Sequence, residues 1–215
     1  MVRQSAACIV TGVFAAVLLF LVVPGCAPTG PVLLDGVAYQ APEGTTPAGR
    51  KTVVAVAPFQ DQRGKTASVI GKRTIPDTVE NDLVVQGTAA DLIAASFKDA
   101  LRSRGIPVKD APAGAEASGA AVPAADLVLS GEIKTFWVDA RSQALKAETK
   151  ATVQLRAVLA EGPERKVFRT VTLNSAIERQ DVAFSFETVK DALSEALTGA
   201  VNQLLADEEF KKRIN

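Results

Sequence analysis

The stretch "DLVLSGEIKTFWV", residues 126–138, decides the fold. Leu127, Leu129, Ile133 and Trp137 alternate with Ser130, Glu132 and Lys134. A period of two marks a strand with one apolar and one polar face. Downstream, residues 149–160 set Ala151, Val153, Leu155, Ala157 and Leu159 against Lys150, Thr152, Gln154 and Arg156. Residues 167–177 continue the pattern after the turn "EGPERK". Three long strands joined by short turns read as an antiparallel meander with one wet face.

Upstream the period changes. "KTVVAVAPF", residues 51–59, is a short valine-rich run ended by Pro58, as expected of a strand buried on both faces. Residues 68–73 are expected as a further short strand after the polar loop "QDQRGKTAS". Thr88 with Asp91 forms a helix-capping pair, and Leu92, Ile93, Ser96, Phe97, Ala100 and Leu101 share one helical face. Gly105 and Pro107 end that helix, and a second strand is expected at residues 106–109. Strand, helix, strand in this order implies a parallel pair with a right-handed crossover. A last helix begins near Ser185 and carries Val189, Leu193, Ala196, Leu197, Ala200, Val201 and Leu204 on its apolar face. The expected class is α+β, a mixed sheet with two helices on one face. The Ala/Gly/Pro-rich residues 110–125 read as a surface loop, and the tail "DEEFKKR" as solvated.

Composition narrows the chemistry. The 215 residues contain no histidine, and Lys+Arg equals Asp+Glu at 24 each. Missing histidine excludes Ser-His-Asp and Cys-His catalysis and most zinc sites. Charge balance gives no field to draw nucleic acid. "GKT" at residues 64–66 lacks the phosphate-loop glycine five positions upstream of Gly64, where Phe59 stands, so no nucleotide is expected. Glu178, Arg179 and Asp181 read as strand-end surface charges. With no convergent acid–base pair, no catalytic residue, metal or cofactor is assigned.

Residues 6–23 form an apolar run that stops at "VPGC", with Cys26 last. The run is near the ~20 residues that span a bilayer, yet Thr11 and Gly12 interrupt it and no positive cluster follows. A secretory signal fits these flanks. "VPGC" resembles the lipobox of bacterial lipoproteins. That resemblance implies cleavage before Cys26, acylation of Cys26 and, with Ala27 next, sorting to the outer membrane. The domains are then a signal over 1–25, a lipidated cysteine with a flexible tether over 26–50, and one periplasmic domain over 51–215. Within the tether, residues 32–39 alternatively pair with a sheet edge or a partner.

Three further cues recur in a family. They are Asp61-x-Arg63 after the first strand, Ile70-Gly71, and Ala125-Asp126-Leu127-Val128-Leu129-x-Gly131. With the lipobox and the order of elements, they resemble the YajG-like lipoproteins. More loosely they are similar to envelope lipoproteins of the LpoB, CsgG and PelC kind, whose domains look like the N-terminal domain of TolB. The resemblance implies a non-enzymatic module on an outer-membrane anchor that binds an envelope protein complex or oligomerises. The alternative is a carrier or sensor of a small apolar or lipidic ligand.

The candidate partner-binding residues are Asp61, Arg63, Trp137, Phe184 and Phe186. Asp61 and Arg63 are half of a charged site or a turn-capping pair. At most one ring of Phe136-Trp137 enters the core from that side of the strand, and the other packs against a neighbouring element or lies on the wet face. Phe184 and Phe186 staple the last helix to the sheet or face a ligand.

Overall fold

The computed structural model describes residues 30–43, 51–75, 79–112, 124–162 and 164–214. Cys26, the signal segment and most of the Ala/Gly-rich loop lie outside them. Among the described residues nine strands form one mixed sheet: β1 (Val32–Leu33), β2 (Val54–Val56), β3 (Gln60–Asp61), β4 (Val69–Ile75), β5 (Val79–Val84), β6 (Val108–Asp110), β7 (Leu127–Gln143), β8 (Lys146–Glu161) and β9 (Lys166–Asp181). The helices are α1 (Ala89–Ser103), α2 (Phe186–Ala206) and α3 (Glu208–Ile214).

β7, β8 and β9 make the expected antiparallel meander. The other edge of β7 is shared in turn by β2, β3 and β4, all parallel to it. β2 also pairs in parallel with β6 after the α1 crossover, which is the expected strand–helix–strand unit. Beyond β4 the sheet continues through antiparallel β5 to parallel β1. β5 is a strand the sequence reading did not include.

The capping residues act as read. Thr88 accepts from the Asp91 N–H at 3.0 Å, and Ser185 from that of Glu187 at 3.2 Å. Val189, Leu193, Ala196, Leu197, Ala200, Val201 and Leu204 of α2 are buried in one core with Phe136, Val153, Leu155 and Leu159 of the sheet. Phe97 of α1 stacks on Phe59 at 5.1 Å between centroids. Phe59 in turn lies on Gly131, where a Cβ would come within 2.6 Å of its ring. A smaller cluster, Ala55, Ala57, Ala111 and Val128, forms on the far side of β2, so that run is buried on both faces as expected.

Three expectations are corrected. Part of the stretch read as a tether is stitched to the body by sheet-edge pairing, the alternative for residues 32–39: Val32–Leu33 pairs with β5, and Leu34 and Val37 are buried. The chain then straps α2. Ala38 N–H donates to Ser194 Oγ at 3.3 Å, Gln40 N–H to Thr198 Oγ1 at 2.9 Å, and Tyr39 Oη to Asn202 Oδ1 at 3.1 Å. Those acceptors recur every four residues, along one stripe of the helix. The tail is not a solvated segment either. Asp207 accepts from the N–H groups of Glu209 and Phe210, both at 3.1 Å, opening α3, which buries Phe210 and Ile214. Finally, Trp137 does not share a face with Ile133. The β7–β8 register shifts between Ile133 and Thr135, and a single extra residue reverses which side chains point to the core. Phe136 takes the buried position instead.

Candidate functional site

Arg63 stands where β7 has no strand partner on one side. β3 pairs with residues 132–133 and β4 with residues 138–141. In the gap between them the Arg63 guanidinium donates to Phe136 O at 3.2 Å and Val69 O at 2.8 Å from one nitrogen. A second nitrogen reaches Asp61 Oδ2 at 2.7 Å and Ala67 O at 3.1 Å, and Nε reaches Asp61 Oδ1 at 2.8 Å. All five N–H donors of an arginine are thereby engaged. With its side chain 3% exposed, Arg63 has nothing left to offer a partner. Its hydrogen bond to Asp61 holds that carboxyl below the usual carboxylate range. The pair closes the β3–β4 loop and fills the ladder of β7.

Trp137 lies beside this node on the opposite face from the helices. Its neighbours across the strands are Thr152 and Ala176, both small. Its Nε1 donates to Asp139 Oδ1 at 3.0 Å, and Lys65 Nζ stands 5.6 Å from the ring centroid. A shallow cleft of about 160 Å³ is lined by Arg63, Lys65, Lys134, Thr135, Phe136 and Trp137. A larger trough of about 310 Å³ follows along the same sheet, lined by charges of both signs including Asp139, Arg141, Lys150 and Glu178. Lys150 pairs with Glu178 at 2.7 Å, and Arg179 with Glu195 of α2 at 2.6 Å, so these are surface pairs as read. The site is a half-buried aromatic ring among small residues, bordered by lysines, on an otherwise polar sheet face. Lys65 and Lys134 are additions that sequence reasoning missed. Only the register at the bulge brings Lys134 to the side of the ring.

Phe184 and Phe186 are elsewhere, at the start of α2. Their rings meet edge to face at 4.8 Å, and the Arg73 guanidinium lies 4.0 Å from the first centroid and 5.5 Å from the second. Phe184 packs against the core, and Phe186 remains 39% exposed. The rings enclose an arginine of β4, in a cation–π arrangement that staples the helix to the sheet. Behind them, buried side chains of α2 and β8 pack into one core. Among the described residues no group of His, Cys, Asp or Glu is placed to hold a metal, and no helix is long and apolar enough to cross a membrane.

No protein-family model and no curated protein sequence matches the chain. Solved structures do. A protein of the family DUF330 from Xanthomonas campestris is similar over 82% of this chain and 91% of its own, with a TM-score of 0.51 and 19% identity. A neuraminyllactose-binding hemagglutinin homolog from Helicobacter pylori is similar over 85% and 96%, with a TM-score of 0.48 and 12% identity. Lipoprotein GNA1162 from Neisseria meningitidis is similar over 73% and 99%, with a TM-score of 0.39 and 14% identity. At these identities the first of them establishes a shared fold and nothing finer. The chain has the mixed-sheet α+β architecture of that Xanthomonas protein.

Proposed function

We propose that the protein is a non-catalytic binding or assembly module of the bacterial envelope, tethered to the periplasmic side of the outer membrane by lipid on Cys26. The observation that carries the binding role is the half-buried Trp137 with Lys65 over its ring, on the sheet face away from the helices. Aromatic anchors set among small residues are where binding energy concentrates in protein interfaces. The anchoring, the outer membrane and the YajG-like kinship rest on the lipobox and the short sequence cues. Whether the partner is an envelope protein or a second copy is decided by experiment. Arg63 and Asp61 belong to the support of the site and not to its contact surface.

The test places a photo-crosslinking residue at Thr152, next to Trp137, in intact cells, with Glu209 on α3 as the control position. One defined envelope protein, or the chain itself, is expected from Thr152 alone. Trp137→Ala should abolish that product at a cost of about 1–2 kcal/mol, since the ring is only half-buried and the fold survives its loss. Phe136→Ala, in contrast, should cost about 3–5 kcal/mol. Products that are equal at both positions, or absent from both, overturn the reading.

A further inference from the structure

Several features converge on one end of the molecule. β1 is parallel to β5, β5 is antiparallel to β4, and β4 is parallel to β7. The start of β1 therefore lies at the same end as the β7–β8 turn and the β9–α2 junction. Gly30, just before β1, is fixed there, its carbonyl accepting from Asn81 Nδ2 at 2.9 Å.

That end carries large apolar side chains in water. Leu145 in the β7–β8 turn is 86% exposed, Val182 after β9 is 75% exposed, and Phe186 at the start of α2 is 39% exposed. Leu145 is unusual in a second way. Gln143 pairs with Lys146, so the loop is two residues long, and Leu145 has φ of 61°. Glycine or asparagine adopts that conformation at little cost, and leucine does not. A strained backbone that presents a leucine to solvent is a feature the rest of the fold must support.

Cys26 precedes Gly30 by four residues. At ~3.6 Å per residue, an acyl chain on Cys26 enters the bilayer within about 14 Å of Gly30. From β1 to the β7–β8 turn is three to four strand spacings of ~4.8 Å across the sheet and ~10–15 Å along it, because Gly30 is level with Ala140 through Asn81 and Arg73. The four residues from Gly30 back to Cys26 are long enough to cover that offset. We infer that this end of the domain lies against the bilayer, with Leu145, Val182 and Phe186 immersed in its interface. The inference rests on the acylation of Cys26 proposed above. It replaces a domain standing off on a long tether with one held flat to the membrane. At this end Lys146 pairs with Glu148 at 2.5 Å, Lys190 pairs with Glu187, and Arg73 is held against the Phe184 and Phe186 rings, so apolar burial is the main drive for the contact.

The experiment uses the full protein purified from its own membranes, reconstituted in phosphatidylcholine vesicles with and without brominated acyl chains. Leu145→Cys, Val182→Cys and, at the opposite end, Glu164→Cys are each labelled with an environment-sensitive fluorophore, Cys26 being blocked by its acyl group. The mass of the Cys26 peptide is read on the same samples. With Cys26 acylated, bromine is expected to at least halve the signal at 145 and 182 and to leave 164 unchanged, equally with anionic lipid added. An acylated protein with no quenching at 145 and 182 overturns the inference and leaves the anchoring intact. Leu145→Cys forming disulfides between copies without quenching overturns it in favour of a second copy. An unmodified Cys26 overturns the anchoring itself, and the inference with it.

Discussion

The Gln203 side chain pairs with both backbone groups of Asn174. Its Oε1 accepts the Asn174 N–H at 3.0 Å, and its Nε2 donates to the Asn174 carbonyl at 2.5 Å. Asn174 lies in β9, whose other side pairs with β8, so these are groups of the open edge. One amide from α2 thus takes the place of a tenth strand in the middle of a 16-residue edge. Close approach of the helix helps, since Gly199 lies so near Ser175 Oγ that a Cβ there would come within 2.6 Å. Long unpaired edges recruit other chains, and proteins block them with such devices.

Gln203→Ala frees both groups. The monomer should lose about 1 kcal/mol, the worth of a typical exposed hydrogen-bonded pair. The larger effect should be a concentration-dependent rise in oligomer, measured by sedimentation velocity. Unchanged sedimentation at high concentration would show that the edge is guarded by something else.

Arg63→Met should destabilise the fold by about 3 kcal/mol in urea unfolding, as for breaking other buried pairs. Asp61 and three carbonyls lose their donor at once. Arg63→Lys should recover less than half, because one ammonium cannot reproduce the planar fork. A variant as stable as wild type, but blind to the Thr152 crosslink, would return Arg63 to the contact surface.

How far this was readable follows from particular residues. The meander, the crossover and both helix starts were legible because local signals and tertiary need agree there: alternation in β8, the Thr88–Asp91 cap, Ser185. Trp137 was misplaced because alternation was counted through Lys134, and a bulge leaves no mark in the residue types. Arg63, Gly71 and Gly131 stand in the short cues that carry the resemblance to a lipoprotein family. Their reasons are steric: a five-donor node, and two points where a Cβ would meet Val138 O at 2.2 Å or Arg156 O at 2.3 Å. α3 was missed because seven residues dominated by charge read as solvated, although Phe210 and Ile214 suffice to dock it. β1 is legible only as the alternative for residues 32–39, because composition there argues for coil and two residues of pairing are too short to show a period.

Leu34→Ala tests whether the segment before β2 belongs to the folded unit. Leu34 is buried in the main core, and its N–H donates to Val84 O at 2.8 Å. Removing the side chain should cost about 2–4 kcal/mol. Loss near zero would mean that the strap is an ornament on a body stable without it.

Asp207 links stability to acidity. Burial alone pushes its carboxyl up, but the hydrogen bond from Arg169 and those from the Phe210 and Glu209 N–H groups outweigh burial and hold it below the usual carboxylate range. A lowered folded value means the stabilisation is complete above the ordinary carboxylate range and disappears as pH falls through it to the folded value. Asp207→Asn should therefore cost about 1 kcal/mol at neutral pH, modest because Arg169 is partly exposed. The gap to wild type should close on acidification. A gap that is constant from neutral to acidic pH would assign the effect to geometry alone.

The strap also determines how the domain bears a mechanical load. With Cys26 acylated as proposed, a pull arriving through it reaches first Gly30, whose carbonyl accepts from Asn81, and then the Val32–Leu33 pairing with β5. The Ser194, Thr198 and Asn202 bonds lie behind that pairing in series along the same chain. Such traction is met first by that single bond and a short parallel pairing, then by the helix at the centre of the core, before it reaches the long meander that carries Trp137. The face that would hold a partner is the last part of the molecule to feel the anchor move.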